Sequence, residues 1–324
     1  MTSIPTSGVG SWPGTDIDEA VRQVFDLAAI PYLPELPARG PGSDMVGRAL
    51  GLMDGLAFEL SPHGWRAASR PSEHQRRARA RLRDDLDVLA ERAEGYAGPL
   101  KVAMCGWWTL CAVVELGRGG PILRDAGAVR DLIQSGRAAA EGLLADVRSL
   151  VPGAEPILQL DEPLLPAALA GSVATESGLG RLRAVEPELV SHSLAGLPPG
   201  TVVHSCAGDV PVALLHAAGI GDLSLDGALL TTAGWDAVAE HVDAGGRLWL
   251  GLQRCDATDL RSTPDALVTR ALAWLRPLEL GPRLVDRLVL TPACGLAGTD
   301  VPGAVRAARS LARAADLLAG ELVR

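Results

Sequence analysis

The amino-acid sequence predicts an α/β chain closed as a single (β/α)8 TIM barrel, and three observations carry that prediction. Eight short apolar runs alternate along the chain with longer amphipathic segments, the pattern of repeated strand–helix units around a parallel sheet. The 324 residues suit one such barrel without a second domain. Polar and metal-capable side chains gather where the apolar runs end, which is where barrels of this class place their chemistry.

The predicted strands cover residues 8–11, 32–36, 100–105, 156–160, 202–204, 223–226, 248–252 and 288–291. Between them, segments 16–29, 126–150, 210–218, 233–242, 264–276 and 301–318 have the amphipathic pattern of helices. The first run ends in Gly10-Ser11-Trp12-Pro13, the second holds Glu35 near its end, and the third leads into Gly106-Trp107-Trp108. The fourth ends in Asp161-Glu162-Pro163, the fifth in His204-Ser205-Cys206, and the sixth in Asp226. The seventh ends in Gln253-Arg254 and the eighth in Pro292-Ala293-Cys294-Gly295. The gap between the second and third runs is longer than the others, so a helical insertion around residues 60–97 is expected on the outside or rim of a single catalytic domain, 1–324. Its arginine-rich stretch also carries Asp84, Asp85, Asp87 and Glu91 and reads as a solvated helix face. The Gly- and Pro-rich stretches 37–42 and 196–200 are short enough to be loops.

Composition narrows the function. A net charge of -9 disfavours a general binder of the nucleic-acid backbone, which needs a basic surface. No apolar run reaches the length of a membrane span. The opening eleven residues lack the basic-then-apolar pattern of a secretory leader, and the five cysteines are scattered and odd in number; together they suggest a cytoplasmic protein with reduced thiols. A core of this size closes without a structural metal, so a bound metal is expected to serve chemistry.

His204 and Cys206 are two apart on an extended segment and therefore point to one face. Cys294, at the end of a later strand, offers a third donor. A buried histidine beside a buried thiol is the bland alternative, but two soft-ligand motifs at two strand ends favour a metal. Imidazole with two thiolates selects zinc, and this donor set with one variable position suits catalysis. Asp226 is the candidate fourth ligand, or else holds a water that fills that position. Around Gly10 and Ser11, backbone N–H groups and a hydroxyl can receive a carboxylate, while Glu35 and Asp161 are natural partners for an ammonium group. A rim salt bridge for Glu35, a turn for Ser11 and a cap for Asp161 remain alternatives.

The stretches Val9-Gly10-Ser11-Trp12-Pro13, Leu158-Gln159-Leu160-Asp161-Glu162-Pro163, Val203-His204-Ser205-Cys206 and Pro292-Ala293-Cys294-Gly295-Leu296 resemble the C-terminal catalytic barrel of the cobalamin-independent methionine synthase family. They stand in the family's order and span nearly the whole chain. The resemblance implies a single-barrel core form with the methionine synthase/uroporphyrinogen decarboxylase-like fold. It implies a zinc methyltransferase of methionine biosynthesis that binds homocysteine through Gly10, Ser11, Glu35 and Asp161. The metal then keeps the substrate thiol deprotonated, ready to attack a methyl group.

Three departures qualify that expectation. One catalytic barrel replaces the tandem pair, Asp226 stands where the family has a glutamate, and Gln253 stands where it has a histidine that helps protonate the leaving group. Glutamine is no general acid, so the donor is left between a methylfolate and a methyl-corrinoid, the latter free or carried by a corrinoid protein. Trp107 and Trp108 are either a stacking floor for a flat donor or packing residues. Cys105, Cys111 and Cys255 match no ligand position, and His63, His74, His192, His216 and His241 read as surface or packing residues. Methylation of another small thiol such as coenzyme M, and a zinc- and homocysteine-binding module without turnover, are the competing readings.

Overall fold

The computed structural model describes residues 3–323; the outermost positions of the predicted domain 1–324 lie outside the described residues. Its centre is a curled parallel sheet of six strands, each hydrogen-bonded to the next in chain order. After helices α1 (Ile17–Leu27) and α2 (Met45–Leu52), an antiparallel hairpin of β1 (Phe58–Ser61) and β2 (Gly64–Ala67) leads into the long helix α3 (Glu73–Arg92). The parallel sheet then begins with β3 (Gly98–Cys105), followed by α4 (Trp107–Val113), α5 (Ala126–Leu150) and β4 (Ala154–Asp161). Helices α6 (Leu165–Leu169) and α7 (Pro187–Leu194) precede β5 (Val202–Ser205); α8 (Val212–Ala217) precedes β6 (Asp222–Asp226). Then come α9 (Thr232–Asp243), β7 (Arg247–Gln253), α10 (Pro264–Leu275), β8 (Leu288–Pro292) and α11 (Val301–Leu322).

Six of the eight predicted runs are therefore strands, and the first two are not regular strands. Pro31 and Pro34 interrupt the second run's environment with residues that have no N–H to give to a ladder. What remains is a series of single bridges, Thr6 to Leu290, Ser11 to Glu35 and Tyr32 to Lys101. Ser7 N–H donates to Leu290 O at 3.0 Å, Glu35 N–H to Gly10 O at 3.1 Å, and Leu33 N–H to Lys101 O at 3.0 Å. These bonds carry the chain from β8 through the amino-terminal segments to β3.

The strands are buried along most of their length because helices cover the outer face and side chains fill the inner one. Helix α11 shows how the sequence selects this packing. Asp300 caps it by accepting from Gly303 N–H at 2.7 Å, and Pro302 occupies the first turn, where its missing N–H costs nothing. Ala304, Ala307, Leu311, Ala314, Ala315 and Leu318 then repeat at three- and four-residue spacing and are all buried.

Helix α3 carries the solvated, arginine-rich face that the sequence predicts, and packs through a buried stripe on its other side. Gln75, Ala78, Leu82, Asp85, Leu86 and Leu89 form its buried stripe, so one of the four acidic residues points inward. Among the described residues no helix is long and apolar enough to cross a membrane.

Candidate active site

At the carboxyl ends of the parallel strands, the register sets Cys105, Asp161, His204 and Ser224 side by side on β3 to β6. Alternation along β5 sends His204 and Cys206 to one side, and Ser205 to the other. The chain leaving β8 brings in Cys294 from 88 residues away, and the Cys206 and Cys294 sulfurs stand 3.8 Å apart. Ligand atoms of His204, Cys206 and Cys294 all lie within 4.8 Å of one another.

The imidazole is held from behind. His204 Nδ1 lies 3.0 Å from Ser224 Oγ, which fixes the ring and leaves Nε2 free to face the thiols. Nε2 is buried and has no hydrogen-bond partner among the described residues. Two thiolates on one tetrahedral zinc, each at about 2.3 Å, stand about 3.8 Å apart, which matches the observed sulfur separation. The donor set, its spacing and the orphaned imidazole nitrogen therefore fit a zinc ion. Cys294 is held well below the ordinary thiol value, first by its contact with the Cys206 thiol and then by the His204 ring. The trio accordingly favours a thiolate, the form that binds metal.

Asp226 ends β6 at the same rim, but it does not belong to the group within 4.8 Å. Its Oδ1 accepts from Ala228 N–H at 2.9 Å. Burial raises its carboxyl, against the Ala228 N–H and Arg254, while Cys294 adds to the rise. Cys255 is close in space yet outside the trio, with Sγ donating to Cys294 O at 3.1 Å.

Beside the thiols lies a buried polar wall. Gly10, Ser11 and Glu35 are brought together by backbone pairing, with Trp12 N–H donating to Glu35 O at 2.8 Å. Gly295 packs so tightly on this corner that a Cβ there would stand 2.0 Å from Ser11 Oγ. Asp161 accepts from Gln159 Nε2 at 2.6 Å, and the same amide donates to Val9 O at 2.7 Å. Lys101 Nζ also donates to Val9 O, at 2.7 Å. Burial pushes Glu35 up to about 7, with Arg48 the main opposing influence. It likewise raises Asp161, against His204 and Lys101, and pushes Lys101 down to about 8.

Lys101, Gln159, Ser224 and Arg48 were not singled out by the sequence. Lys101 had a visible signal, a lone cation inside an apolar strand. Ser224 had a weaker one, two residues before Asp226 and so on the same face of β6. Gln253 is fully buried; Nε2 donates to Asp259 O at 3.0 Å, and Oε1 has no partner among the described residues.

The two tryptophans are packing residues and not a stacking floor. Trp107 and Trp108 open α4 with no solvent exposure, and their indole N–H groups both donate to Ser193 Oγ, at 3.2 and 3.0 Å. His241 is buried, with its Nδ1 3.0 Å from that of His216, on helices α8 and α9 rather than at the strand ends.

Comparisons with known proteins identify the family. Residues 103–317 match the family described as "Cobalamin-independent synthase, Catalytic domain". That stretch includes Asp161, His204, Cys206, Asp226 and Cys294, while Gly10, Ser11 and Glu35 precede it. Among solved structures, the chain is similar to a B12-independent methionine synthase from Shewanella sp. W3-18-1 in complex with selenomethionine. The two share 14% identity at a TM-score of 0.64, covering 99% of this chain and 99% of that one. A comparison with curated proteins found no match. With two thirds of its length matched to that one pattern, this chain belongs to the family of cobalamin-independent synthase catalytic domains.

Proposed function

We propose that this protein is a zinc-dependent methyltransferase that forms methionine by moving a methyl group onto the sulfur of homocysteine. The observation that carries the reading is the trio of His204, Cys206 and Cys294, drawn within 4.8 Å beside a wall holding two carboxylates and a backbone corner. A thiol amino acid has a soft atom, an ammonium and a carboxylate, and this rim offers a counterpart for each. The Shewanella protein, solved with selenomethionine, supports the same substrate class.

In this reading His204, Cys206 and Cys294 hold the zinc, and Asp226 either completes the set or holds a water against it. A zinc ion bound there supplies Lewis acidity that keeps a thiol deprotonated at neutral pH. The N–H groups about Gly10 and the Ser11 hydroxyl receive the substrate carboxylate. Glu35 and Asp161 accept hydrogen bonds from its ammonium, and their burial makes those charge-assisted bonds stronger than they would be in water. Ser224 keeps the imidazole turned so that Nε2 faces inward. The methyl group passes to the substrate sulfur, the thiol proton goes to solvent, and the donor leaves with the electron pair of the broken bond.

The donor is a methylfolate or a methyl-corrinoid, and the two differ in one requirement. A folate nitrogen must take up a proton as it leaves, which Gln253 cannot supply; a leaving cobalt needs none. The amino-terminal segments complete the barrel in this proposal, with 8–11 and 32–36 as its first two strands reduced to bridges. The bonds that link them to β8 and β3 support that reading. The insertion around 60–97 rides outside a single catalytic domain, and the reduced thiols suit the cytoplasm.

The test is whether zinc-loaded protein makes methionine from homocysteine with methylcobalamin, and separately with methyltetrahydrofolate. Methionine from either donor supports the proposal. Faster methylation of coenzyme M than of homocysteine overturns the substrate, and homocysteine binding without product from any donor leaves a binding module.

A further inference from the structure

Asp85, on the buried face of α3, lies between two guanidinium groups. Arg39 Nη2 donates to both of its oxygens, at 2.8 and 2.7 Å, and Arg48 Nη1 approaches Oδ2 at 3.4 Å. Arg48, on α2, also donates from Nη1 to Pro34 O at 3.0 Å, the carbonyl just before Glu35. Its Nε stands 3.8 Å from Glu35 Oε1. Both of these facing atoms are buried and neither has a hydrogen-bond partner among the described residues. One arginine thus binds the Pro34 carbonyl, stands 3.8 Å from the carboxylate of Glu35 at the rim, and is itself tied to a helix outside the sheet.

A carboxylate buried to this degree stays charged only beside a compensating cation. The charged groups that face Glu35 are Arg48 and Asp44 from α2 and its cap, Asp161 from β4 and Lys101 from β3. Without Arg48, two anions and one cation would remain around it.

We infer that Arg48 is a positioning residue, held by Asp85, that keeps the Glu35 carboxylate ionised and aimed for the ammonium group of an amino-acid substrate. The homocysteine reading supplies only the identity of that ammonium; the charge and orientation of Glu35 belong to the free protein. The two can therefore fail separately.

The experiment compares zinc-loaded wild type with Arg48→Met and Arg48→Lys. The infrared band of a protonated carboxyl is followed against pH, with Arg48→Met/Glu35→Gln to assign it. The band is expected to persist to higher pH in Arg48→Met than in wild type, to move back toward the wild-type course in Arg48→Lys, which keeps a cation, and to be missing from the double variant. Zinc content is expected to be unchanged. The KM for homocysteine in Arg48→Met is expected to rise about tenfold near neutrality, the loss of one charged hydrogen-bonding partner, with kcat little changed. As pH is raised and Glu35 ionises, that KM is expected to recover, which a merely loosened fold would not produce. A band that titrates as in wild type in Arg48→Met overturns the inference; should that variant fail to fold, Arg48→Gln takes its place and is read in the same way. A shifted band with an unaltered KM leaves the positioning role standing and overturns the homocysteine reading instead.

Discussion

Replacing Cys206 with serine bears most directly on the metal centre. The change removes one of two sulfurs 3.8 Å apart and leaves an alcohol that stays protonated and binds zinc poorly. Cys206 is only half-buried, so the fold itself should lose little. The loss is read as stabilisation that zinc no longer provides. A ligand present at a hundred times its dissociation constant adds about 2.7 kcal/mol to the folded state. Unfolding entropy of about 2.1 cal/mol/K per residue amounts to about 0.7 kcal/mol/K over 324 residues. The quotient is a rise in Tm of about 4 °C on adding zinc. Wild type and Cys255→Ser are expected to show that rise and lose it with a chelator, because Cys255 only donates to the Cys294 carbonyl. Cys206→Ser and Cys294→Ser are expected to show neither the rise nor bound zinc by elemental analysis. Equal zinc content in all three variants would refute the assignment of the ligands.

Three further outcomes follow from the same geometry. Asp161→Asn keeps an acceptor for Gln159 Nε2 but loses a charge; homocysteine should bind about tenfold more weakly with zinc retained, and loss of zinc would move Asp161 among the ligands. Ser193→Ala strips both indole N–H groups of their acceptor and is expected to cost about 2 kcal/mol, or about 3 °C in Tm. An unchanged Tm with a raised donor KM would return the tryptophans to the donor site. Gly295→Ala would set a methyl group 2.0 Å from Ser11 Oγ and push that hydroxyl aside, raising the homocysteine KM; calorimetry showing wild-type affinity would argue that Ser11 does not touch the substrate.

The six strands that were legible share one property: each is a short, mainly apolar run, as in Leu248 to Leu252, with most of its residues buried. The first two runs failed as regular strands because their partners are reached only through single bridges, and Pro31 and Pro34 remove donors that a ladder needs. At the rim, the donors His204, Cys206 and Cys294 could be picked out by residue type alone, since few side chains bind soft metals. The tryptophan pair could not be placed, because an indole reads the same whether its N–H meets a ligand or Ser193.

What escaped the sequence most completely is the buried ion chain behind Glu35, and the reason is electrostatic. A helix written with six arginines and five acidic residues from Glu73 to Arg92 carries its charges outward unless a partner elsewhere offsets the cost of burial. For Asp85 those partners are Arg48 and Arg39, 37 and 46 residues away. Periodicity does place Asp85 on the stripe of Leu82, Leu86 and Leu89, yet a charge on an apolar stripe normally argues that the stripe ends there. Only the three-dimensional pairing reverses that inference. Helix α3 supplies the anion that fixes Arg48, and Arg48 stands against a carboxylate of the candidate substrate wall. Its removal should therefore be felt at the rim, and not only in the stability of the outer layer.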